Sequence, residues 1–316
     1  MRAPQKDPQT IEEAAAILRS GRLCAFATET VYGLGADATN SDAVLAIYET
    51  KGRPRFNPLI CHCPDMAMAR KIAVFNPVAQ ALADRFWPGP MTLVLPLATD
   101  AGLSDLVTAG LETVALRIPG HEAARNLVAA VGRPVAAPSA NPSGRLSPTT
   151  AEAVRAGFGG RVPVLDGGPC EAGLESTILA VEGEAVTQLR AGALARETVE
   201  AALGIAVPTA GHDAAIAAPG MLLSHYAPNA GVRLNAESPA PGEAYLGFGG
   251  FAGDGARAAL NLSPAGDLHE AARNLFSFLA RLDASGAGKI AVAPIPVTGL
   301  GEAINDRLER AAAPRR

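Results

Sequence analysis

From Val207 to Gly231 the sequence turns rich in Pro, Gly and Ala and keeps neither a helical nor a strand period. Such a stretch reads as a linker, and it divides the chain into two segments in which short apolar runs alternate with amphipathic stripes. The spacing predicts an α/β unit over residues 8–206, a linker over 207–231 and a smaller α/β unit over 232–316. The 316 residues allow this, since single cores seldom grow past roughly 250–300 residues. The alternation in the first unit is irregular, which favours a mixed sheet over a regular doubly wound one.

In chain order, Thr10-Ile11-Glu12-Glu13 is a capping box that starts a helix through Arg19, with Gly21 as its stop. A strand over Leu23 to Phe26 follows. Ser41 is placed to cap a helix over Asp42 to Thr50 whose Val44, Leu45 and Ile47 or Tyr48 face a core. Further strands are predicted at Pro58 to Cys63, Met91 to Leu95, Thr113 to Pro119, Pro134 to Ala137, Val162 to Leu165, Ser176 to Val181 and Val186 to Leu189. Helices are predicted at Ala67 to Ile72, Val78 to Phe86, His121 to Val131 and Ala151 to Ala156. Trp87-Pro88-Gly89-Pro90 breaks the pattern, and its Trp reads as a packing residue. Beyond the linker, strands at Ala244 to Phe248, Ala259 to Leu262 and Ile290 to Ala293 flank a helix over Leu268 to Leu282 with an apolar face at Ala271, Leu275, Phe278, Leu279 and Leu282.

Two segments carry chemistry. Thr28-Glu29-Thr30-Val31-Tyr32-Gly33-Leu34-Gly35 sets two hydroxyls and a carboxylate at a strand end, before glycines that permit tight turning or close approach. Lys51-Gly52-Arg53 spaces two cations so that an extended segment would point both to one side, toward an anion with several oxygens. Arg117 ends a mostly apolar strand and needs a partner anion, which a structural carboxylate or a ligand would supply. In Cys61-His62-Cys63 the cysteines share one strand face and read as core thiols, while His62 takes the other. Gly247-Phe248-Gly249-Gly250-Phe251-Ala252, with Asp267 beyond, matches a dinucleotide fingerprint, but the next predicted element is a strand rather than the helix this motif requires.

The Thr-Glu-Thr-x-x-Gly-Leu-Gly loop, the Lys-x-Arg pair and Ser139-Ala140-Asn141 together resemble the signature of the YrdC-type L-threonylcarbamoyladenylate synthases. The resemblance extends over essentially the whole chain in the longer form of that family. It implies a YrdC-like mixed twisted sheet domain joined by a linker to a smaller Rossmann-like α/β domain. It also implies condensation of L-threonine, bicarbonate and ATP, with Mg²⁺, to threonylcarbamoyl-AMP and pyrophosphate. A downstream transferase complex would then modify ANN-decoding tRNA, so stable nucleic-acid binding is not required. Threonine contacts are implied at Thr30, His62, Arg117, Ala137 and Thr177. ATP contacts are implied at Arg53, Asn57, Thr113, Ser139, Asn141, Ser147, Arg190 and Tyr226, with Lys51 and Arg53 stabilising phosphate charge. Ser224-His225-Tyr226 would fold over the cleft as a lid. Two departures stand out: Ala27 and Ala191 occupy positions where the family usually has proline.

A net charge of −4 and no Lys/Arg run except Arg315-Arg316 weigh against a mainly nucleic-acid-binding protein. The 4% aromatic content points the same way, although a local RNA-binding patch stays open as an alternative, as does carbamoyl transfer. No apolar run long enough for a membrane span or a signal peptide occurs, which leads to the expectation of a cytoplasmic protein. Four cysteines without a second Cys/His cluster predict neither a disulfide scaffold nor a zinc site.

Overall fold

A computed structural model describes residues 5–211, 226–251 and 253–314. Its elements in chain order are α1 (Ile11–Arg19), β1 (Cys24–Phe26), β2 (Gly33–Asp37), α2 (Ser41–Lys51), β3 (Ile60–His62), α3 (Met66–Ile72), α4 (Pro77–Phe86), β4 (Met91–Pro96), α5 (Asp105–Thr108) and β5 (Thr113–Arg117). Then come α6 (Glu122–Val131), β6 (Val135–Ala136), α7 (Ala151–Phe158), β7 (Val164–Leu165), β8 (Thr177–Glu182), β9 (Ala185–Arg190) and α8 (Arg196–Leu203). The second part holds β10 (Gly231–Arg233), β11 (Ala244–Gly247), β12 (Ala259–Asn261), α9 (Leu268–Asp283), β13 (Lys289–Val292) and α10 (Leu300–Ala312).

Among the described residues the first sheet has nine strands in the order β7-β1-β2-β6-β3-β5-β4-β8-β9. Parallel pairs β1/β7, β3/β5 and β4/β8 are interleaved with antiparallel ones, giving the mixed sheet expected from the irregular alternation. Side-chain alternation decides its two faces. Leu34, Ala36, Cys61, Leu93, Leu95, Leu116 and Leu179 join Val44, Ile47, Leu82 and Val154 of the helices in the main core. On the other side, α1 and α6 cover the β1/β2/β6 end through Leu18, Leu127 and Val128 packed on Phe26 and Val135. Only a small apolar strip, Ile60, Val94, Ala115 and Ile178, remains beside that cover. Of this strip, Ile60 lines the main polar cleft.

Capping fixes several helix starts. Thr10 Oγ1 accepts the Glu13 N–H at 3.2 Å, and the Glu13 carboxylate reaches back to the Gln9 N–H at 2.6 Å. At α2 the cap is Asn40, whose Oδ1 accepts from Asp42 and Ala43; Ser41, the expected cap, instead bonds Ser104. Leu45 is only half-buried on that helix, while Ala43 joins the buried stripe. Trp87 is buried and donates Nε1–H to the Met91 carbonyl, as a packing residue with its polar edge satisfied. All four cysteines are free and buried.

The second sheet is parallel throughout, in the order β10-β13-β11-β12. Its core joins Leu246, Ile290 and Val292 to Leu275, Phe276 and Leu279 of α9 and Ile304 and Leu308 of α10. Phe276, rather than the expected Phe278, sits fully in the α9 stripe. The glycine-rich Gly247–Phe251 segment leads into turns and β12, and Asp267 is the N-cap of α9, so no dinucleotide loop forms there.

The two parts are packed together. Val31 and Leu174 of the first contribute to the second core. A Cβ on Gly173, at φ +72°, would lie 2.4 Å from Arg273 Cα, so only glycine lets this loop abut α9. Around the apolar contact, Glu302 accepts from Gln188 and Arg196, and Glu197 accepts the Gly299 N–H.

Candidate functional site

The cleft is lined by Thr28, Thr30, Val31, Gly33, Arg53, Ile60, His62, Arg117, Ala137, Pro138, Ser139, Glu175, Ser176, Arg190 and Tyr226. Strand register builds one end. Ile60 pairs with Ala115 and His62 with Arg117 in the parallel β3/β5 ladder, so alternation sends His62 and Arg117 out of the main core together. The β1–β2 hairpin delivers Thr28 to Thr30 above them. Arg117 Nη1 donates to Thr30 Oγ1 at 2.9 Å, and Thr30 Oγ1 lies 2.8 Å from Thr28 Oγ1, which in turn bonds the Val31 carbonyl at 2.6 Å.

The partner anion that Arg117 requires is Glu29. Its Oε1 is 2.7 Å from Arg117 Nη2 and also accepts the Gly120 N–H at 2.7 Å. Burial alone would raise the Glu29 pKa, but Arg117 and the Gly120 N–H together hold it below the usual carboxylate range. The ion pair is bent from ideal hydrogen-bond geometry, so Arg117 Nη2 is charge-paired to Glu29 without a well-aligned acceptor among the described residues. His62 Nδ1 is likewise unsatisfied, and burial, reinforced by the Arg117 charge, pulls its pKa down to about 3. His62 is therefore a neutral imidazole at neutral pH and a poor general base.

The other end gathers cations. Arg53 is held by Nε to the Asn57 carbonyl and by Nη2 to the Pro58 carbonyl, and burial lowers its pKa to about 10. Arg190, at the end of β9, donates Nη2 to the Ser176 carbonyl at 2.8 Å; burial lowers its pKa as well. Glu175 lies between these groups and α10. Burial would raise its pKa, but Arg307 and Arg190 hold it at about 2. Tyr226, at φ +60°, packs its ring 5.6 Å from the Phe276 ring and 5.1 Å from the Arg307 guanidinium. Ser224 and His225 lie outside the described residues.

Of the expected site residues, Thr30, Arg53, His62, Arg117, Ala137, Ser139, Arg190 and Tyr226 line this one cleft. The Ala137 N–H is committed to the Ile60 carbonyl. Asn57 is buried beneath Arg53, and Asn57 Oδ1 and Asn141 Oδ1 have no hydrogen-bond partner among the described residues. Ser147 reaches the cleft only through Glu175, to which it donates at 2.5 Å.

Four expectations meet a different geometry. Lys51 and Arg53 do not project side by side, because Lys51 is the last residue of α2 and Gly52 at φ +61° turns the chain. Lys51 Nζ sits behind the cleft and donates to the Ser139 and Asn141 carbonyls at 2.6 and 2.5 Å, fixing that loop. Burial and then Arg53 lower its pKa well below the usual range. Thr177 does not reach the lining either, since its hydroxyl is tied to both the N–H and carbonyl of Leu194; Ser176 stands there instead. Thr113 shares a sheet face with Arg117 but lies four residues away, about 13 Å along the strand, beyond the apolar strip. Similarly, Gly33 and Gly35 lie within β2, where Gly35 makes room for the Phe26 ring, rather than at a tight turn.

Glu175, Ser176 and Arg307 were not legible as site residues. Arg307 had a detectable signal, because it falls in the α10 stripe of Leu300, Ile304, Leu308 and Ala311, where an arginine is out of place unless it is paired.

Residues 16–192 match the Sua5/YciO/YrdC family, described as "Telomere recombination", and residues 194–313 match the threonylcarbamoyl-AMP synthase C-terminal domain. The Bacillus subtilis threonylcarbamoyl-AMP synthase is 41% identical, covering 98% of this chain and 94% of its own length. The Pyrococcus abyssi threonylcarbamoyl-AMP synthase is 39% identical over 96% of this chain and 94% of its own. The crystal structure of P. abyssi Sua5 complexed with L-threonine superposes with a TM-score of 0.87 at 37% identity, covering 96% of this chain and 94% of that one. The chain therefore belongs to the Sua5/YciO/YrdC family, in the two-domain form that carries the threonylcarbamoyl-AMP synthase C-terminal domain.

Proposed function

We propose that this chain is an L-threonylcarbamoyladenylate synthase, a nucleotidyltransferase that condenses L-threonine, bicarbonate and ATP. The observation that carries this reading is the two-ended cleft: a carboxylate receptor of Arg117, Thr30 and neutral His62 at one end, and Arg53 and Arg190 at the other. Residues 8–206 would form the catalytic domain, 207–231 the linker and 232–316 the Rossmann-like domain.

In this reading the threonine carboxylate meets the cleft-facing side of the Arg117 guanidinium, whose Nη2 is ion-paired to Glu29. The threonine amine combines with bicarbonate to give a carbamate and water. A carbamate oxygen then attacks the α-phosphorus of ATP, forming the mixed anhydride as pyrophosphate leaves. Arg53 and Arg190 offset the phosphate charge, the Ser139 loop braced by Lys51 fixes orientation, and Ile60 in the lining offers an apolar contact to the base. Among the described residues no cluster of three metal-binding side chains occurs, and Glu175 is already engaged by Arg307 and Ser147. Mg²⁺ would thus enter on the ATP phosphates as part of the substrate. The product would pass to a tRNA threonylcarbamoyl transferase complex in the cytoplasm; no described helix is long and apolar enough to cross a membrane.

The test is pyrophosphate release with ATP, Mg²⁺ and bicarbonate, with and without L-threonine, together with the product mass. Threonine-dependent release and a threonylcarbamoyl-AMP mass are expected. A folded protein that binds ATP yet yields neither product would end the reading.

A further inference from the structure

Glu29, the carboxylate paired with Arg117, is seated on the turn between β5 and α6. Its Oε1 accepts the Gly120 N–H at 2.7 Å and its Oε2 the His121 N–H at 3.3 Å. On the far side of the same turn, Arg125 Nη1, from the first turn of α6, donates to the Pro119 carbonyl at 2.8 Å and to the Gly120 carbonyl at 2.6 Å. These contacts share two peptide planes. The Pro119 carbonyl lies in the plane of the Gly120 N–H, the Gly120 carbonyl in that of the His121 N–H, and in a trans peptide the two groups point opposite ways. Arg125 therefore grips the backs of the two planes whose fronts hold Glu29. The turn needs such a grip, because Gly120 is exposed and carries a glycine's backbone freedom; a Cβ there would lie 3.2 Å from the Glu29 carboxyl carbon. His121 Nδ1 accepts the Ala124 N–H at 3.3 Å, which fixes the helix end of the turn.

We infer that Arg125 is a positioning residue for the threonine end of the cleft: by clamping the Pro119–His121 turn it sets where Glu29, and through Glu29 the Arg117 guanidinium, stands. The inference rests on the L-threonine reading above. Glu29 Oε1 is 2.7 Å from Arg117 Nη2, and Arg117 Nη1 is 2.9 Å from Thr30 Oγ1, so a displaced turn carries the carboxylate and the guanidinium with it. A charged donor on each carbonyl also polarises its peptide and strengthens the N–H presented to Glu29. Arg125 is half-buried and is not among the cleft-lining residues, so it acts without touching substrate. The phosphate end is held by other elements, the Arg53 loop and the Ser139 loop braced by Lys51.

The experiment uses the full chain with Arg125→Met, which keeps the stem but removes the donors, Arg125→Lys, which keeps a charged donor, and Arg125→Met combined with Glu29→Gln. Each is checked by circular dichroism and thermal melting. Steady-state pyrophosphate release gives KM for L-threonine and for ATP separately. Arg125→Met is expected to raise the L-threonine KM about fivefold and leave the ATP KM within about twofold, and Arg125→Lys to bring the L-threonine KM back to within about twofold of the unmodified chain. On the Glu29→Gln background Arg125→Met should add less than about twofold, since its effect passes through that carboxylate. A folded Arg125→Met chain with an unchanged L-threonine KM, an equal rise in both KM values, or a full fivefold further rise on the Glu29→Gln background would overturn the inference. So would an Arg125→Lys chain as impaired as Arg125→Met. If Arg125→Met does not fold, Arg125→Gln, which keeps one neutral donor, carries the test: an L-threonine KM raised about threefold with the ATP KM held supports the inference, and no rise overturns it. An unmodified chain without threonine-dependent release would instead sink the underlying functional reading.

Discussion

Among the described residues, two arginine–glutamate pairs built on buried arginines differ in what they leave unspent. Arg117 meets Glu29 within the first domain, and its Nη2 is charge-paired without a well-aligned acceptor among the described residues. Arg307 meets Glu175 across the domain boundary, and every nitrogen of its guanidinium is engaged. Similar chemistry thus leaves a guanidinium on a cleft wall in one place and makes a clamp in the other. The difference lies in geometry: strand register aims Arg117 at a cleft, whereas the stripe of α10 drives Arg307 into an interface.

The strongest way to break this contrast is Arg117→Ala, which strands the largely buried Glu29 without its cation. It should cost about 3–5 kcal/mol of stability, read from the urea midpoint, and abolish measurable turnover. Turnover within tenfold of the unmodified chain would show that Arg117 is not the carboxylate receptor. Glu29→Gln keeps an acceptor for the Gly120 N–H but removes the charge. We expect the L-threonine KM to rise by about tenfold while the ATP KM holds, as suits a residue that orients rather than contacts. Equal movement of both constants would contradict that assignment.

Acid sharpens the comparison next. His62 has a folded pKa of about 3 against an ordinary value of 6.5, so its neutral form is favoured by folding. Its contribution is complete above 6.5 and is lost as pH falls from there toward about 3, at up to about 1.4 kcal/mol per pH unit. Glu175 has a folded pKa of about 2 against 4.5; its contribution is present above 4.5 and lost as pH falls toward about 2. Denaturant titrations should therefore find that His62→Asn flattens the stability profile between pH 6 and pH 5, on the order of one unit, where the Glu175 window has not yet opened. An unchanged slope would mean that His62 is charged in the fold.

The smallest effect marks the exposed limit. Arg19 and Glu12 form a third arginine–glutamate pair, on the surface of α1, with 36% and 71% of their side chains exposed. Glu12→Gln should shift stability by less than about 0.5 kcal/mol in a thermal melt. A larger loss would show that burial is not what separates the three pairs.

How much of this was readable from sequence depended on whether the signal was local. The Thr10 capping box, the cysteines and His62 on opposite faces, and the demand of Arg117 for an anion all follow from spacing along one element. The identity of that anion did not follow, because Glu29 reaches Arg117 only once the hairpin folds over β5. Asn40 outcompeted Ser41 as the α2 cap because the first turn begins one residue earlier than the pattern implied. Lys51 was misjudged because one left-handed glycine replaces extended geometry with a helix end. Thr177 was lost to Leu194, a partner on the loop that follows β9. Glu175 and Arg307 find each other only when α10 packs against the first domain, and no one-dimensional period encodes that meeting.

The strand order also fixes a schedule. Ala25 in the hairpin strand pairs on one side with Leu34, close by in sequence, and on the other with Val164. The threonine-bearing hairpin can therefore be among the first structures made, yet its sheet closes only after most of the first domain has emerged. Contacts so distant in sequence slow folding, since loop closure must precede the pairing that rewards it. Arg307 comes later still, about a hundred residues beyond α8, or on the order of 5–20 s of synthesis. The contact of Arg307 with Glu175 is thus among the last to form, although the first residues of the cleft are among the earliest to be made.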